Sequence, residues 1–228
     1  MSKYVIATTK SWNIENARKL IEHNKNIVLI DEKNSLTKEY LDLIQPEYVF
    51  FPHWSWIIPK EIYENFRCVV FHMTDLPFGR GGSPLQNLLV RGIYETKVSA
   101  IKVVEGLDEG PVYLKESIDI SEGNADEILK AVSNIVFSKM IPIFLENELI
   151  PKEQVGEAIC FKRRKPEQSE IPEGLSQRQL YDYIRMLDGE GYPTAFVKCI
   201  DKRIYFTNAQ YNNGVVTATA SFSEDKKI

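Results

Sequence analysis

The sequence predicts an α/β fold: a Rossmann-like, mostly parallel sheet with helices on both faces, and a small C-terminal α+β subdomain. In the first half of the 228 residues, fully apolar short runs alternate with stretches of helical periodicity. Such runs are typical of a parallel sheet covered on both faces. After Pro151 the pattern changes to one helix and short strands. We therefore predict two domains, residues 1–150 and residues 151–228, the second comprising a linker and the small subdomain.

The elements of the first part follow from the spacing of apolar residues. Runs of apolar residues predict four strands, and helical spacing predicts the helices between them. The strands are Tyr4–Ala7, Ile27–Ile30, Tyr48–Phe51 and Cys68–Phe71, and the helices begin near Ile14, at Leu36 and at Pro59. Ser11 or Asn13 is the expected N-cap of the first helix. Thr74–Pro84 holds prolines and glycines and is predicted to be a loop.

The middle of the chain predicts a helix, two strands and a longer helix, in that order. The first three elements are Pro84–Val90, Val98–Val104 and Pro111–Ile120. Asn124 followed by Glu127 has the spacing of a capping box and predicts the start of the longer helix. Pro142 is expected to end or kink it.

The last part of the chain predicts one helix and a small antiparallel sheet. The helix is Ser176–Leu187, and the strands are Ala195–Ile200, Ile204–Thr207 and Val215–Phe222. Asn212, Asn213 and Gly214 supply the hairpin turn.

Composition and charge limit the classes of partner that the protein is expected to bind. The net charge is -4 and the pI about 5.6, which argues against a polyanion, so we expect no nucleic acid as partner. No apolar run approaches ~18 residues and no signal-peptide pattern is present, which predicts a cytoplasmic protein without membrane contact. Cys68, Cys160 and Cys199 are far apart among apolar neighbours; we expect buried thiols and no metal site. The oligomeric state stays open.

Two acid–base residues stand at turns that follow predicted strands. The turn after the first strand lacks the glycines of a dinucleotide fingerprint. His72 directly follows the fourth strand, where a doubly wound sheet presents its ligand crevice, and Asp108 lies in a turn flanked by glycines. A general base with an orienting carboxylate is one interpretation. Spacing alone favours the other, a loop histidine and a turn aspartate.

Several segments resemble the folate-dependent formyltransferases, which move a formyl group from N10-formyltetrahydrofolate to a primary amine. His72–Pro84 resembles the family's loop His-x-Ser-x-Leu-Pro-x-(x)-Arg-Gly, and Val104–Val112 resembles its Asp-x-Gly-Pro turn. Trp54–Pro59 and Gly191–Phe196 are similar to two weaker motifs of the family. The resemblance covers about residues 4 to 207 and implies a folate-dependent N-formyltransferase with N10-formyltetrahydrofolate as co-substrate.

The resemblance also implies the roles of the site residues. His72 is the expected base that accepts the amine proton, and Asp108 the carboxylate that orients it. The family carries a catalytic Asn two residues before the histidine, where this chain has Val70, which cannot donate a hydrogen bond. The nearest polar substitutes for that donor are Thr74, Gln86 and Asn87.

The binding residues are predicted in two groups. The folate group is Trp54, Ser55, Trp56, Ile57, Ile58, Val104, Glu105, Gly106 and Leu107. The acceptor group is Lys10, Trp12, Arg80, Gly81 and Gln86. For Arg80 a loop-stabilising role is the alternative. Arg163 and Arg164 could meet a diphosphate, although a solvated linker is favoured there.

The amino-acid sequence of the His72 loop looks closest to the nucleotide-sugar N-formyltransferases of the pseudaminic-acid pathway. This predicts transfer to the amine of a UDP-linked 4-amino-4,6-dideoxy sugar. The alternatives are another amine, such as an aminoacyl carrier or a ribonucleotide, and a folate- or nucleotide-sugar-binding module that has lost catalysis. Val70 is the one residue that favours the last alternative.

Overall fold

Six strands form the main sheet of the computed structural model, which describes residues 3–200 and 202–224. The strands up to residue 161 are β1 Lys3–Ala7, β2 Ile27–Ile30, β3 Pro46–Pro52, β4 Cys68–His72, β5 Phe78–Gly81, β6 Glu95–Lys102, β7 Val112–Asp119 and β8 Ile159–Phe161. The sheet has the order β2-β1-β3-β4-β6-β7. Strand β5, which lies within the predicted loop Thr74–Pro84, pairs with β8 in a separate two-stranded sheet. The pairs β1–β2, β1–β3 and β3–β4 are parallel, whereas β4–β6 is antiparallel.

The strand order reverses at β1, because β2 and β3 lie on opposite sides of it. In doubly wound sheets, ligands bind outside the carboxyl ends of the strands at such a reversal. The residues that follow β1 and β3 therefore lie at a crevice of the expected kind. Together with the helices that flank the sheet and the C-terminal antiparallel strands described below, this confirms the predicted fold class.

Seven α-helices occur in the described residues. They are α1 Ser11–His23, α2 Lys38–Ile44, α3 Lys60–Tyr63, α4 Pro84–Val90, α5 Ala125–Ile135, α6 Ile141–Glu146 and α7 Gln177–Arg185. The predicted capping box is confirmed, because Asn124 and Glu127 bond to each other's backbone N–H. The predicted cap of α1 is wrong: Lys10 occupies the N-cap without a side-chain bond. The Asn13 amide instead donates to Thr8 Oγ1 and to the Pro52 carbonyl.

The helix after Asn124 does not end at Pro142. A π-helical turn, Val136–Met140, joins α5 to α6, and Pro142 is the second residue of α6. The continuous stretch Ala125–Glu146 is long and apolar enough to cross a membrane by length and composition alone. Its Phe144 is 1% exposed and packs edge-on against Tyr48 and Phe50 of β3. This part of the stretch therefore serves as a core helix.

The described chain forms two compact units that interleave in sequence. The sheet unit runs up to Arg80 and adds Thr96–Ile118 and Lys130–Cys160. The second unit combines Gly81–Glu95, Asp119–Leu129 and the chain from Phe161 onward. The division into units therefore does not follow a single cut at residue 150, because Gly81–Glu95 and Asp119–Leu129 group with the C-terminal part of the chain.

In the second unit, β9 Ala195–Cys199, β10 Lys202–Asn212 and β11 Val215–Glu224 form an antiparallel sheet with the order β11-β10-β9. The N-cap of helix α7 is Ser176, where the predicted helix begins, and its side chain accepts from the Gln179 N–H. Arg185 of α7 is 1% exposed and bonds to Asp182 at 2.7 Å and to the Ile120 and Gly123 carbonyls. Each of the three guanidinium nitrogens of Arg185 donates a hydrogen bond, and the bonds to Ile120 and Gly123 connect α7 to the segment before α5.

The three cysteines differ in environment. Cys68 is buried in β4, and burial raises the pKa of its thiol to about 12. Cys160 and Cys199 are exposed, so the prediction of three buried thiols is wrong for these two. Both lie in short strands, where apolar sequence neighbours do not ensure burial.

Replacement of Arg185 by Met should cost about 3–5 kcal/mol of the free energy of unfolding, because it leaves Asp182 buried without its closest cation. The matched control is Lys198→Met. It breaks an ion pair with Glu170 whose side chains are 54% and 41% exposed, and it should cost less than about 1 kcal/mol. Urea unfolding of both variants measures the difference. Equal losses would contradict the role assigned to Arg185.

Candidate active site

His72 and Asp108 lie together at the end of β4. His72 is the last residue of that strand and is 9% exposed. Its Nδ1 lies 3.5 Å from Oδ2 of Asp108, which comes from the turn between β6 and β7. On the other side of the ring, Nε2 lies 2.8 Å from the Gly79 carbonyl oxygen. The structure therefore brings together the two residues predicted to be catalytic.

The partners of the His72 ring suit one protonation form. A carbonyl oxygen only accepts, so the contact with Gly79 needs a proton on Nε2. The Asp108 carboxylate also accepts, so a proton on Nδ1 is favoured there. Both ring nitrogens face acceptors, which is the environment of an imidazolium. That is the form histidine takes after it accepts a proton from a substrate.

Two buried hydroxyl groups, one from the loop and one from β6, bond to the backbone of the loop after His72. Ser99 of β6 donates to the Thr74 carbonyl at 2.7 Å, and the Thr74 hydroxyl lies 3.4 Å from the Gly79 carbonyl. Both hydroxyl residues are fully buried. Their bonds direct the Gly79 carbonyl toward the histidine ring.

A cluster of charges follows in the same loop. Asp75 pairs with Lys115 at 2.5 Å and with Lys97 at 3.0 Å. Burial raises the pKa of the Asp75 carboxyl, but the hydrogen bonds from the two lysines outweigh it, so its pKa lies below the ordinary value. The loop thus carries an ionised carboxylate whose negative charge is paired with two lysines.

The turn that carries Asp108 is held in a left-handed conformation. Asp108 has φ 55°, a region that costs energy for residues other than glycine. At Gly110, a Cβ would lie 1.7 Å from the Lys102 carbonyl oxygen, so only glycine fits. Gln154 donates to the carbonyls of Asp108 and Gly110, both at 2.8 Å, and accepts two bonds from Arg80. Sequence reasoning missed Gln154, which no motif includes.

Arg80 makes the contacts of a loop-stabilising residue, the alternative to its predicted role in acceptor binding. Its Nε and Nη2 both donate to Gln154 Oε1, and its Nη1 lies 3.4 Å from the Glu109 carboxylate. Its donors are thus directed at the Asp108 turn.

The first predicted folate segment packs on a hydrophobic cluster of the sheet unit. Ile58 belongs to the cluster, and Trp54 packs against it, as does Val103, which directly precedes the second predicted segment. Neighbouring apolar residues remain open: Trp56 is 39%, Ile57 92% and Leu107 69% exposed. The Trp54 Nε1 donor is buried without a hydrogen-bond partner among the described residues. The Trp54 and Trp56 rings meet with their centroids 5.0 Å apart, so an unpaired indole donor and exposed aromatic surface occur together, which suits a flat ligand with acceptor atoms such as a pterin ring. The remaining members of the two segments are Ser55, Val104, Glu105 and Gly106.

Lys10 and Trp12, predicted to bind the acceptor, lie where the strand order reverses. The Lys10 ammonium lies 5.4 Å from the centre of the Trp12 ring, and this ring meets His53 edge-on at 6.0 Å. Trp12 is 7% exposed, and its Nε1 has no hydrogen-bond partner in the described part of the chain. The structure joins residues that follow β1 to a residue that follows β3.

His53 was not predicted as a site residue. Burial, together with the positive charge of Lys10, lowers the pKa of its imidazole to about 4. At neutral pH it is therefore an uncharged ring beside Trp12.

Gly81 and Gln86, which were also predicted to bind the formyl acceptor, belong to the second unit. Gln86 is 2% exposed and donates to the Met186 carbonyl. A Cβ at Gly81 would lie 2.5 Å from the Phe161 carbonyl oxygen. Both residues serve packing within that unit.

The three substitutes proposed for the family Asn direct donors at backbone carbonyls elsewhere in the described chain. Thr74 points at Gly79, Gln86 bonds to Met186, and the Asn87 amide donates to the carbonyls of Gly82, Ser83 and Lys162. Val70 itself lies in β4 opposite Ile101. His72 lies two residues further along the same strand.

Two family models match the chain. Residues 7–141 match the formyl transferase model, and residues 166–223 match the C-terminal domain of methionyl-tRNA formyltransferase. The first match covers more than half of the chain and includes His72 and Asp108. The chain belongs to the formyl transferase family. This confirms the predicted enzyme class, a folate-dependent N-formyltransferase, and with it N10-formyltetrahydrofolate as co-substrate.

A solved structure from Clostridium thermocellum, named methionyl-tRNA formyltransferase, resembles this formyl transferase along its whole length. It is 55% identical, covers 98% of this chain and 100% of its own, and has a TM-score of 0.95. The methionyl-tRNA formyltransferase of Thermodesulfovibrio yellowstonii is 27% identical over 76% of this chain and 58% of its own length. The chain spans about half the length of the curated relatives it matches.

The predicted nucleotide-sugar acceptor is contradicted by these relatives, and so is the prediction that nucleic acid is not a partner. A structure from Mycobacterium tuberculosis described as a likely sugar N-formyltransferase is only 15% identical, with a TM-score of 0.74 over 91% of this chain and 97% of its own. That likeness shows the fold alone. The sequence of a short loop around His72 does not identify the acceptor. The net charge of -4 describes the whole chain and not the local surface, so it could not exclude nucleic acid as a partner.

Because the pKa of His53 is depressed when the chain is folded, the unfolded chain binds the His53 proton first as pH falls. The stabilising contribution is complete above about pH 6.5 and is lost as pH falls toward about 4. Between pH 7 and 5 the free energy of unfolding should fall by about 2 kcal/mol from this residue. His53→Asn, which tolerates the residue's φ of 51°, should flatten that part of the curve. Coincident curves from urea unfolding across this range would contradict the assignment.

Proposed function

We propose that the protein transfers the formyl group of N10-formyltetrahydrofolate to the α-amino group of an aminoacyl ester, with methionyl-tRNA as the acceptor. The observation that carries the chemistry is the His72 ring between Asp108 and Gly79. The acceptor is supported by the 55% identical structure named methionyl-tRNA formyltransferase and by the match of residues 166–223. A cytoplasmic location goes with the proposal, because charged tRNA and reduced folate are intracellular.

His72 handles the proton in this proposal. The acceptor amine attacks the formyl carbon through its nitrogen lone pair, and His72 takes the proton that the nitrogen must lose. The bond from the formyl carbon to N10 then breaks, and the same proton passes from His72 to N10, so charge and atoms balance. Asp108 keeps the ring in one orientation and stabilises the imidazolium between the two transfers.

The co-substrate supplies an activated one-carbon group, and the residues of the first folate segment are suited to hold its ring. We assign this to the exposed faces of Trp56, Ile57 and Leu107 and to the unpaired Trp54 donor. The remaining predicted folate residues, Ser55, Ile58, Val104, Glu105 and Gly106, stay part of this proposal.

Lys10 and Trp12 are assigned to the acceptor. An ammonium beside an aromatic ring suits an anionic group next to an apolar one, the combination found at the aminoacylated end of a tRNA. Near the formyl group, Val70 cannot stabilise the negative charge that develops on oxygen. We assign that donor role to the Nε2–H that forms when His72 takes the amine proton, which would turn from Gly79 to the formyl oxygen. Loss of a single such donor costs roughly 10²–10³ in rate, so transfer is compatible with Val70.

The direct experiment is incubation of the purified protein with methionyl-tRNA and N10-formyltetrahydrofolate, with mass spectrometry of the released aminoacyl group. The expected result is a methionine heavier by one formyl group. Free methionine and uncharged tRNA are the matched acceptors that should stay unmodified. Release of tetrahydrofolate without a formylated amine would contradict the proposal.

His72→Asn should lower kcat by about 10²- to 10⁴-fold, because the amide cannot take the amine proton. Asp108→Asn should lower it by roughly 10²-fold, while asparagine accepts the left-handed backbone of residue 108. His23→Asn and Asp31→Asn are the matched controls in the same unit and should keep the wild-type rate. Circular dichroism confirms that each variant is folded. A His72→Asn variant with wild-type turnover would exclude the assigned base.

A further inference from the structure

Gln154 uses its whole hydrogen-bonding capacity on the active-site turn. Its Nε2 carries two hydrogens, and these meet the Asp108 and Gly110 carbonyls at 2.8 Å each. Its Oε1 has two lone pairs, and these accept from Nε and Nη2 of Arg80 at 3.1 and 2.9 Å. Only a glutamine can make this set at this position: glutamate lacks the donors, and asparagine is one methylene shorter.

The turn needs such support. Asp108 is held at φ 55°, and an unsupported non-glycine residue leaves this region readily. The carbonyls on either side of Glu109 are both fixed by one side chain, so the backbone between them cannot rotate freely. Arg80 adds a third tie through the Glu109 carboxylate at 3.4 Å. The position of the Asp108 carboxylate against His72 is therefore set from the segment after α6.

We propose that Gln154, anchored by Arg80, is a positioning residue that holds the Asp108 carboxylate against Nδ1 of His72. The inference rests on the proposed function, since it concerns the same reaction. Gln154 does not touch the reacting atoms, and it acts only through the turn. This also gives Arg80 a role in the reaction that needs no contact with the acceptor.

The test is Gln154→Glu, which keeps a partner for Arg80 but removes both donors to the turn. With methionyl-tRNA as substrate, kcat should fall roughly 10- to 100-fold, because misplaced catalytic groups cost this much. The KM for each substrate should stay within about twofold of the wild type, since the binding segments are unchanged. Gln154→Met removes the donors without adding charge and replaces Gln154→Glu if the latter fails to fold.

Gln45→Glu is the matched control. Gln45 also donates its amide to a backbone carbonyl, that of Asp42, but at the end of α2 rather than on the active-site turn. This variant should keep the wild-type kcat. If Gln45→Glu and Gln154→Glu lower kcat equally, the loss comes from general destabilisation and the proposal is overturned.

A second readout does not need turnover. The ¹⁵N spectrum of ligand-free protein with labelled histidine reports which His72 nitrogens carry protons. In the wild type we expect the Nδ1 signal of a ring that is hydrogen-bonded to Asp108, and in Gln154→Glu a shift of this signal toward its position in Asp108→Asn. Unchanged His72 signals in a folded Gln154→Glu variant would overturn the proposal. A wild type that shows these signals but formylates no methionyl-tRNA would instead refute the proposed function and leave the positioning role in place.

Discussion

The approach of Asp108 to His72 is the contact on which the account of this protein depends. It joins the end of β4 to a turn between two other strands, and the turn reaches the histidine only in a left-handed conformation at residue 108. Gly110 permits the close passage beside Lys102, and Gln154 fixes the carbonyls on both sides. The sheet supplies rigid strands, while the reactive geometry itself is made by loops.

Much of the fold follows from local sequence patterns. The strands that form the parallel sheet are continuous apolar runs, and the caps at Asn124 and Ser176 are set by side chains three residues apart. The failures are those in which tertiary contacts override a local signal. Asn13 donates to the Pro52 carbonyl rather than capping its own helix. A π-helical turn, Val136–Met140, precedes Pro142, and the helical stretch continues through Pro142 as α6.

The candidate site divides in the same way. His72 and Asp108 were found because each stands in a short motif, and the motifs belong to a family with known chemistry. Gln154 lies 46 residues from Asp108 and in no motif, so only the folded chain reveals it. The acceptor was predicted wrongly, because residues around a shared reaction centre resemble one another across enzymes that formylate different amines. Likeness along the whole chain was needed to correct it.

Chemical rescue tests most directly whether His72 carries the proton. His72→Ala would be mixed with methionyl-tRNA and N10-formyltetrahydrofolate, and single-turnover formylation measured with and without added imidazole. The account predicts a rate at least about 10²-fold below the wild type that rises with imidazole concentration, since a free base can enter the space left by the ring. A variant that turns over at the wild-type rate would contradict it, and so would a slow variant, folded and able to bind both substrates, that imidazole leaves unchanged.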